Sequence, residues 1–276
     1  MQPMVNIALR AARKGSDILT QGYEQQNLAR LKGKEASDYA TEVARAAGKA
    51  VVTLLQKTYP EHGFLCRQTG HQPGRNEGED YLWMVDPLAG RINFIHGVPL
   101  FALAIACQYR NRIEHALVLH PGSGEEFTAS RNRGATLSLG GASGGSRLRV
   151  SNRSTMAGSV VATTCDGQGK GPLALPGLLS RLTEETDGIR CSGCPTLDMA
   201  WVAAGRYDGF CGTGLTSWNL AACTLLIKEA GGLVGDFRGG DKQMDSGQAV
   251  CGTPKVFRDI LVSLQPPSAA QHSHQI

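Results

Sequence analysis

Apolar residues recur at helical spacing in two long stretches at the start of this chain, and beyond Pro60 the pattern changes to short runs that read as strands. In residues 3–23, Val5, Ala8, Leu9, Ala12, Ile18 and Leu19 mark one face of a helix. In residues 41–59, Val43, Ala47, Val51, Leu54 and Leu55 form a second stripe, with Thr41 as its N-cap and Pro60 beyond its end. Strands are expected at Phe64–Leu65, 81–86, 101–108, 113–119 and 125–130, the third and fourth as a pair. After the glycine-rich stretch 139–149, read as a mobile loop, a buried strand is expected at 160–164. Helical spacing returns at 175–185, 195–204 and 219–230, with Gly231-Gly232 as a C-cap. Strands follow at 233–237 and 249–251.

The 35 glycines fit an α/β protein with many tight turns. A formal charge of +4 does not demand a nucleic-acid partner, though a local basic patch is compatible with it. No run approaches 18 apolar residues, and the N-terminus reads as an amphipathic helix instead of a signal peptide. The expected location is therefore cytoplasmic, with no membrane partner. The eight cysteines are then thiols. Cys107 and Cys223 lie in apolar runs as small core residues, and the other six fall near turns or segment ends.

Chemistry concentrates in Trp83-Met84-Val85-Asp86-Pro87-Leu88-Ala89-Gly90-Arg91-Ile92-Asn93-Phe94. This resembles the W-x-x-D-P-L-D-G-T-x-N-F signature of the inositol monophosphatase family. The N-terminal fifteen residues, DPLAGRINFIHGVPLFALAIAC, EEFTASRNRGA, LDMAWVAAGRYDGF and WNLAACTLLIKEAGG extend the likeness over nearly the whole chain, in family order. They are most similar to a bacterial branch associated with transcription antitermination through RNA polymerase and Nus factors. The resemblance implies a five-layered αβαβα sandwich and a homodimer. Residues 1–264 are expected to form a single two-lobed domain, with lobes at roughly 1–145 and 146–264 and a disordered tail at 265–276.

Family members hydrolyse phosphomonoesters with Mg²⁺ held by carboxylates. At the matching positions Arg67 replaces a Glu and Gln68 its acidic neighbour. Ala89 replaces an Asp, Arg91 a Thr, and Asn219 the last ligand Asp; Asp86 and the Leu88 carbonyl remain. Ala44, His120 and Gly212 also depart from the pattern. The charge of the pocket shifts by about five units toward positive, and each Arg within about 5 Å would repel Mg²⁺ by several kcal/mol. The expectation is a site with no metal and no cofactor.

Two uses of such a pocket follow. In one, it binds or transforms a small anion. Arg67 and Arg91 supply guanidinium forks, Gly90 opens a helix, and Cys191, Cys194, Asp198 and Asn219 line the pocket. Cys165, His120 and Asp86 are the candidate catalytic groups, with a thiol pKa lowered by a nearby Arg. The plainer reading pairs an Arg with Asp86 in the old metal space, hydrogen-bonds His120 at its turn and buries the thiols. In the other use, the chain is a regulatory pseudophosphatase that contacts transcription factors. Weak residual phosphatase activity is a third reading.

Overall fold

The computed structural model describes residues 2–142, 144–164 and 174–264. Two helices, α1 (Pro3–Ala29) and α2 (Gly33–Thr58), open the chain. They run antiparallel, because Gly15 packs on Val51 while Gly22, two turns on, packs on Val43. α2 begins eight residues before Thr41, whose hydroxyl bonds back to the Ser37 carbonyl at 3.0 Å inside the helix and caps nothing.

The strands β1 (Gly63–Cys66), β2 (Gly70–Gln72), β3 (Tyr81–Ala89), β4 (Ala102–Tyr109), β5 (Arg112–His120), β6 (Glu125–Ser130), β7 (Gly134–Leu139) and β8 (Ser146–Arg147) form one sheet, in the order β2-β1-β3-β4-β5-β6-β7-β8. The short helix α3 (Arg91–Ile95) joins β3 to β4. Pairing is antiparallel except between β1 and β3. The glycine-rich stretch expected as a loop is partly structured: Ser146 and Arg147 pair with Leu137 and Thr136, and Leu148 is buried.

A second sheet, ordered β10-β9-β11-β13-β12, comes from the rest of the chain. Its elements run β9 (Val160–Thr163), α4 (Ala174–Glu185), β10 (Gly188–Arg190), α5 (Pro195–Ala203), β11 (Gly209–Gly212), α6 (Ser217–Glu229), β12 (Leu233–Gly235), α7 (Gln243–Ser246), β13 (Ala249–Gly252) and α8 (Pro254–Ser263). Gly231, at φ 90°, follows α6 where the sequence places its C-cap.

Side-chain alternation along the strands sorts the core into layers. In the first sheet Trp83, Val85, Leu103, Ile105 and Leu117 pack on α1 and α2. Met84, Ala104, Ala106, Val118 and Phe127 face the other way, onto α5 and α6. The inner face of the second sheet, with Ala162, Phe210 and Cys251, closes on the same two helices. Its outer face, with Val161, Cys211 and Val250, packs on Leu178, Leu182, Val256 and Ile260 of α4 and α8. Helices, sheet, helices, sheet and helices make five layers. Cys165 and the 265–276 tail lie outside the described residues.

Candidate functional site

Parallel pairing of β1 with β3 sets Cys66 against Val85, and the Arg67 N–H continues the ladder to the Val85 carbonyl at 3.1 Å. This register brings Arg67 to Asp86. One guanidinium nitrogen, Nη1, lies 3.3 Å from Asp86 Oδ2, while the Leu88 N–H donates to Oδ1 at 3.3 Å. Asp86 is 2% exposed. Burial pushes its carboxyl pKa up, and Arg67 and the Leu88 N–H only partly oppose that rise.

Arg91 turns away from the carboxylate toward α2. Its Nη2 donates to the Ser37 carbonyl at 2.5 Å, the Ser37 hydroxyl at 3.0 Å and the Thr41 hydroxyl at 2.8 Å. Burial, then repulsion from Arg67, lowers its pKa, and Asp38 raises it. The two arginines are thus close enough to repel, but each is engaged by the protein itself. Ser37 was not singled out from the sequence. The signal available was that an Arg in a packed loop needs acceptors close by.

Gly90 caps α3 at φ 78°, a left-handed conformation natural to glycine. A Cβ there would stand 2.7 Å from the Leu100 carbonyl and 3.1 Å from the Cys194 sulfur. Cys194 is fully buried against this turn. Its thiol pKa is raised by burial, opposite to the lowering expected of a pocket nucleophile. Burial does the same to Cys223. Cys66 is buried against Gly48. Cys191 is exposed. Asn93 ties the two loops together, donating to the Leu100 carbonyl at 2.7 Å and the Ser192 carbonyl at 2.8 Å.

Asn219 is turned into its own helix. Its Oδ1 accepts from the Thr216 N–H and hydroxyl, each at 3.0 Å, as the third helical residue of a capping box does. Its amide lies 3.4 Å from the Thr196 hydroxyl. Asp198, in the first turn of α5, is 1% exposed, and neither carboxylate oxygen has a hydrogen bond of good geometry. Burial lifts its pKa to about 7, with the Ser192 hydroxyl and N–H pulling the other way.

His120 and Asp86 share no contact. His120 Nε2 donates to the Pro99 carbonyl at 3.0 Å, and Nδ1 lies 2.9 Å from the Ser123 hydroxyl. Ser123 also donates to Glu125 at 3.1 Å. Arg206 pairs with the same carboxylate through two nitrogens. His120 thus belongs to a structural network, and the acid–base pair expected from the sequence does not assemble.

Mg²⁺ requires several hard oxygen ligands in near-octahedral order. Here one carboxylate is paired with a guanidinium, Ala89 presents a methyl group, and the Asn219 oxygen faces the backbone. Among the described residues no three His, Cys, Asp or Glu side chains gather as a metal site requires. The donor set does not fit the ion.

Two sheets and three helical layers, with this loop at the carboxyl end of β3, define an α/β sandwich of the sugar-phosphatase kind. The chain belongs to the inositol monophosphatase family, whose model matches residues 1–269. It is 46% identical over 269 residues to a protein of Pseudomonas aeruginosa named Nus factor SuhB, covering 96% of this chain and 97% of that one. It is 37% identical over 266 residues to the Nus factor SuhB of Escherichia coli K12, covering 96% and 97%. The crystal structure of extragenic suppressor protein SuhB from Bartonella henselae superposes with a TM-score of 0.86 at 32% identity, over 97% of this chain and 100% of that one. An inositol monophosphatase from Anabaena gives 0.78 at 25% identity, over 96% and 97%.

Proposed function

We propose that this protein is a non-catalytic regulator that acts by protein contacts in a transcription antitermination assembly, as the Nus factor name of its relatives suggests. The observation that carries the reading is the Arg67–Asp86 pair: the remaining family carboxylate is spent on a guanidinium. The layers around the altered loop keep their buried cores, which suits a chain needed in folded form. A cytoplasmic homodimer is the accompanying expectation.

The test uses the purified chain and its Asp86→Asn variant with an elongation complex carrying the other Nus factors. Both proteins are expected to join the complex and to raise terminator read-through equally. Neither is expected to release phosphate from inositol 1-phosphate in Mg²⁺. The quadruple change Arg67→Glu, Ala89→Asp, Arg91→Thr and Asn219→Asp should gain Mg²⁺ binding by calorimetry. Chelator-sensitive hydrolysis by the unaltered chain at an ordinary rate, or failure to join the complex, would reject the proposal.

A second reading, that the loop holds a small anion, draws on one observation. The Arg67 side chain is 41% exposed and among the described residues only its Nη1 is engaged, so its remaining donors are available to an oxyanion. Phosphate titration of the parent and of Arg67→Ala, followed by calorimetry, separates the two readings.

A further inference from the structure

The outer surface of the α1–α2 pair carries a groove of about 1000 Å³, lined by residues of these two helices and not by those of the Asp86 loop. Half-buried Ile7 and Leu54 supply apolar surface in it. Small side chains on α2, at Ala46, Ala50 and Thr53, leave room for another backbone to come close. Four cations edge it: Arg10 and Lys14 from α1, Lys49 and Lys57 from α2. All four are exposed, and none takes part in an ion pair among the described residues. Their neighbour Arg13 is different, since it turns inward to Glu126 at 2.5 Å. The cations on the groove are therefore left over after the fold has used the one it needs.

We propose that this groove docks an acidic amphipathic helix of a partner protein. Two antiparallel helices present a channel into which a third can lay its apolar face, and 27- and 26-residue walls are long enough to hold several turns. Carboxylates flanking the apolar stripe of that helix would meet the lysines and arginine on both rims, which sets partner choice and association rate. A single-stranded nucleic acid fits less well. No aromatic residue lines the groove to stack a base, and the apolar surface would be wasted on phosphates. The inference rests on the groove alone and holds whether or not the chain acts in transcription.

The probe is a fluorescein-labelled peptide of about five helical turns, with Leu at i, i+3, i+4 and i+7 and Glu beside them. Its counterpart carries Lys for every Glu, and an oligouridine of similar length is the nucleic-acid control. The acidic peptide should bind the full chain, protect Arg10–Lys14 and Lys49–Lys57 from hydrogen exchange, and weaken with added salt. The double variant Lys49→Glu/Lys57→Glu should lose at least about tenfold in affinity, and Lys49→Gln/Lys57→Gln a smaller factor, with thermal midpoints unchanged. The basic peptide should not bind. The proposal is overturned if the acidic peptide fails to bind, if its protection maps elsewhere, or if charge reversal leaves its affinity unchanged. Tighter binding of oligouridine at the same lysines overturns it in favour of nucleic acid. A fall in the molecular mass of the free protein on charge reversal overturns it in favour of a second copy of the chain.

Discussion

Asp198 combines near-complete burial with carboxylate oxygens that no well-placed donor satisfies. Its carboxyl pKa, about 7 in the fold against an ordinary 3.8, makes ionisation costly in the native state only. Below pH 3.8 the group is neutral in both states and exerts no pH-dependent penalty. As pH rises toward 7 the unfolded chain ionises first, and native stability falls by about 4 kcal/mol. Asp198→Asn should therefore be more stable than the parent at pH 8, by a few kcal/mol, and little different near pH 4. Urea unfolding at the two pH values measures this, and parallel pH dependence in both proteins would refute it. At Asp86 the balance differs, because a guanidinium partner is present. Arg67→Ala should cost about 1–2 kcal/mol at neutral pH, the half-exposed Arg limiting the effect. In an Asp86→Asn background the same change should cost much less, so a double-mutant cycle yields a coupling energy. The sequence places both residues among the candidates for the site. It does not reveal that they hold each other, because that depends on the parallel register of two strands almost twenty residues apart.

The helical pair α1–α2 is set by close approach. A Cβ on Gly22 would lie 2.6 Å from Val43 Cγ1, and one on Gly15 2.6 Å from Leu103 Cδ1. Gly22→Ala gains about 1 kcal/mol of helix propensity but overpacks the contact by about 1–3 kcal/mol, so a net loss of up to about 2 kcal/mol is expected. Adding Val43→Ala should relieve the clash, which thermal unfolding of the single and double variants can read. On α6, Asn219→Ala should cost about 1 kcal/mol through the lost cap, with no change in the Asp86 loop. Both helices of the pair were legible from their apolar stripes. The start of α2 was not, because its first two turns bury only Ala36 and Ala40, whose small side chains leave a weak periodic signal. Short strands such as β8 and β10 escaped for a related reason: two or three residues hold no period, and their partners are distant in sequence.

Across the whole molecule, six of the seven described cysteines are buried and Cys191 is exposed. In a Cys165→Ser background, alkylation of the native protein should modify Cys191 first, while Cys66, Cys107, Cys194, Cys211, Cys223 and Cys251 react only as the core opens in denaturant. Mass spectrometry of the labelled peptides reads the order, and early modification of Cys194 would contradict the packing at Gly90. No described helix is long and apolar enough to cross a membrane. The amino-acid sequence alone determined the family and the αβαβα architecture, because motif order and residue type are properties of the chain read end to end. Only the tertiary structure decided which partners the polar side chains of the site take. Arg67 meets Asp86, Arg91 leaves for Ser37 and Thr41, His120 joins Glu125 and Arg206, and Asn219 caps its own helix. A buried polar group must find a partner in three dimensions, and that partner is chosen by strand register and helix packing.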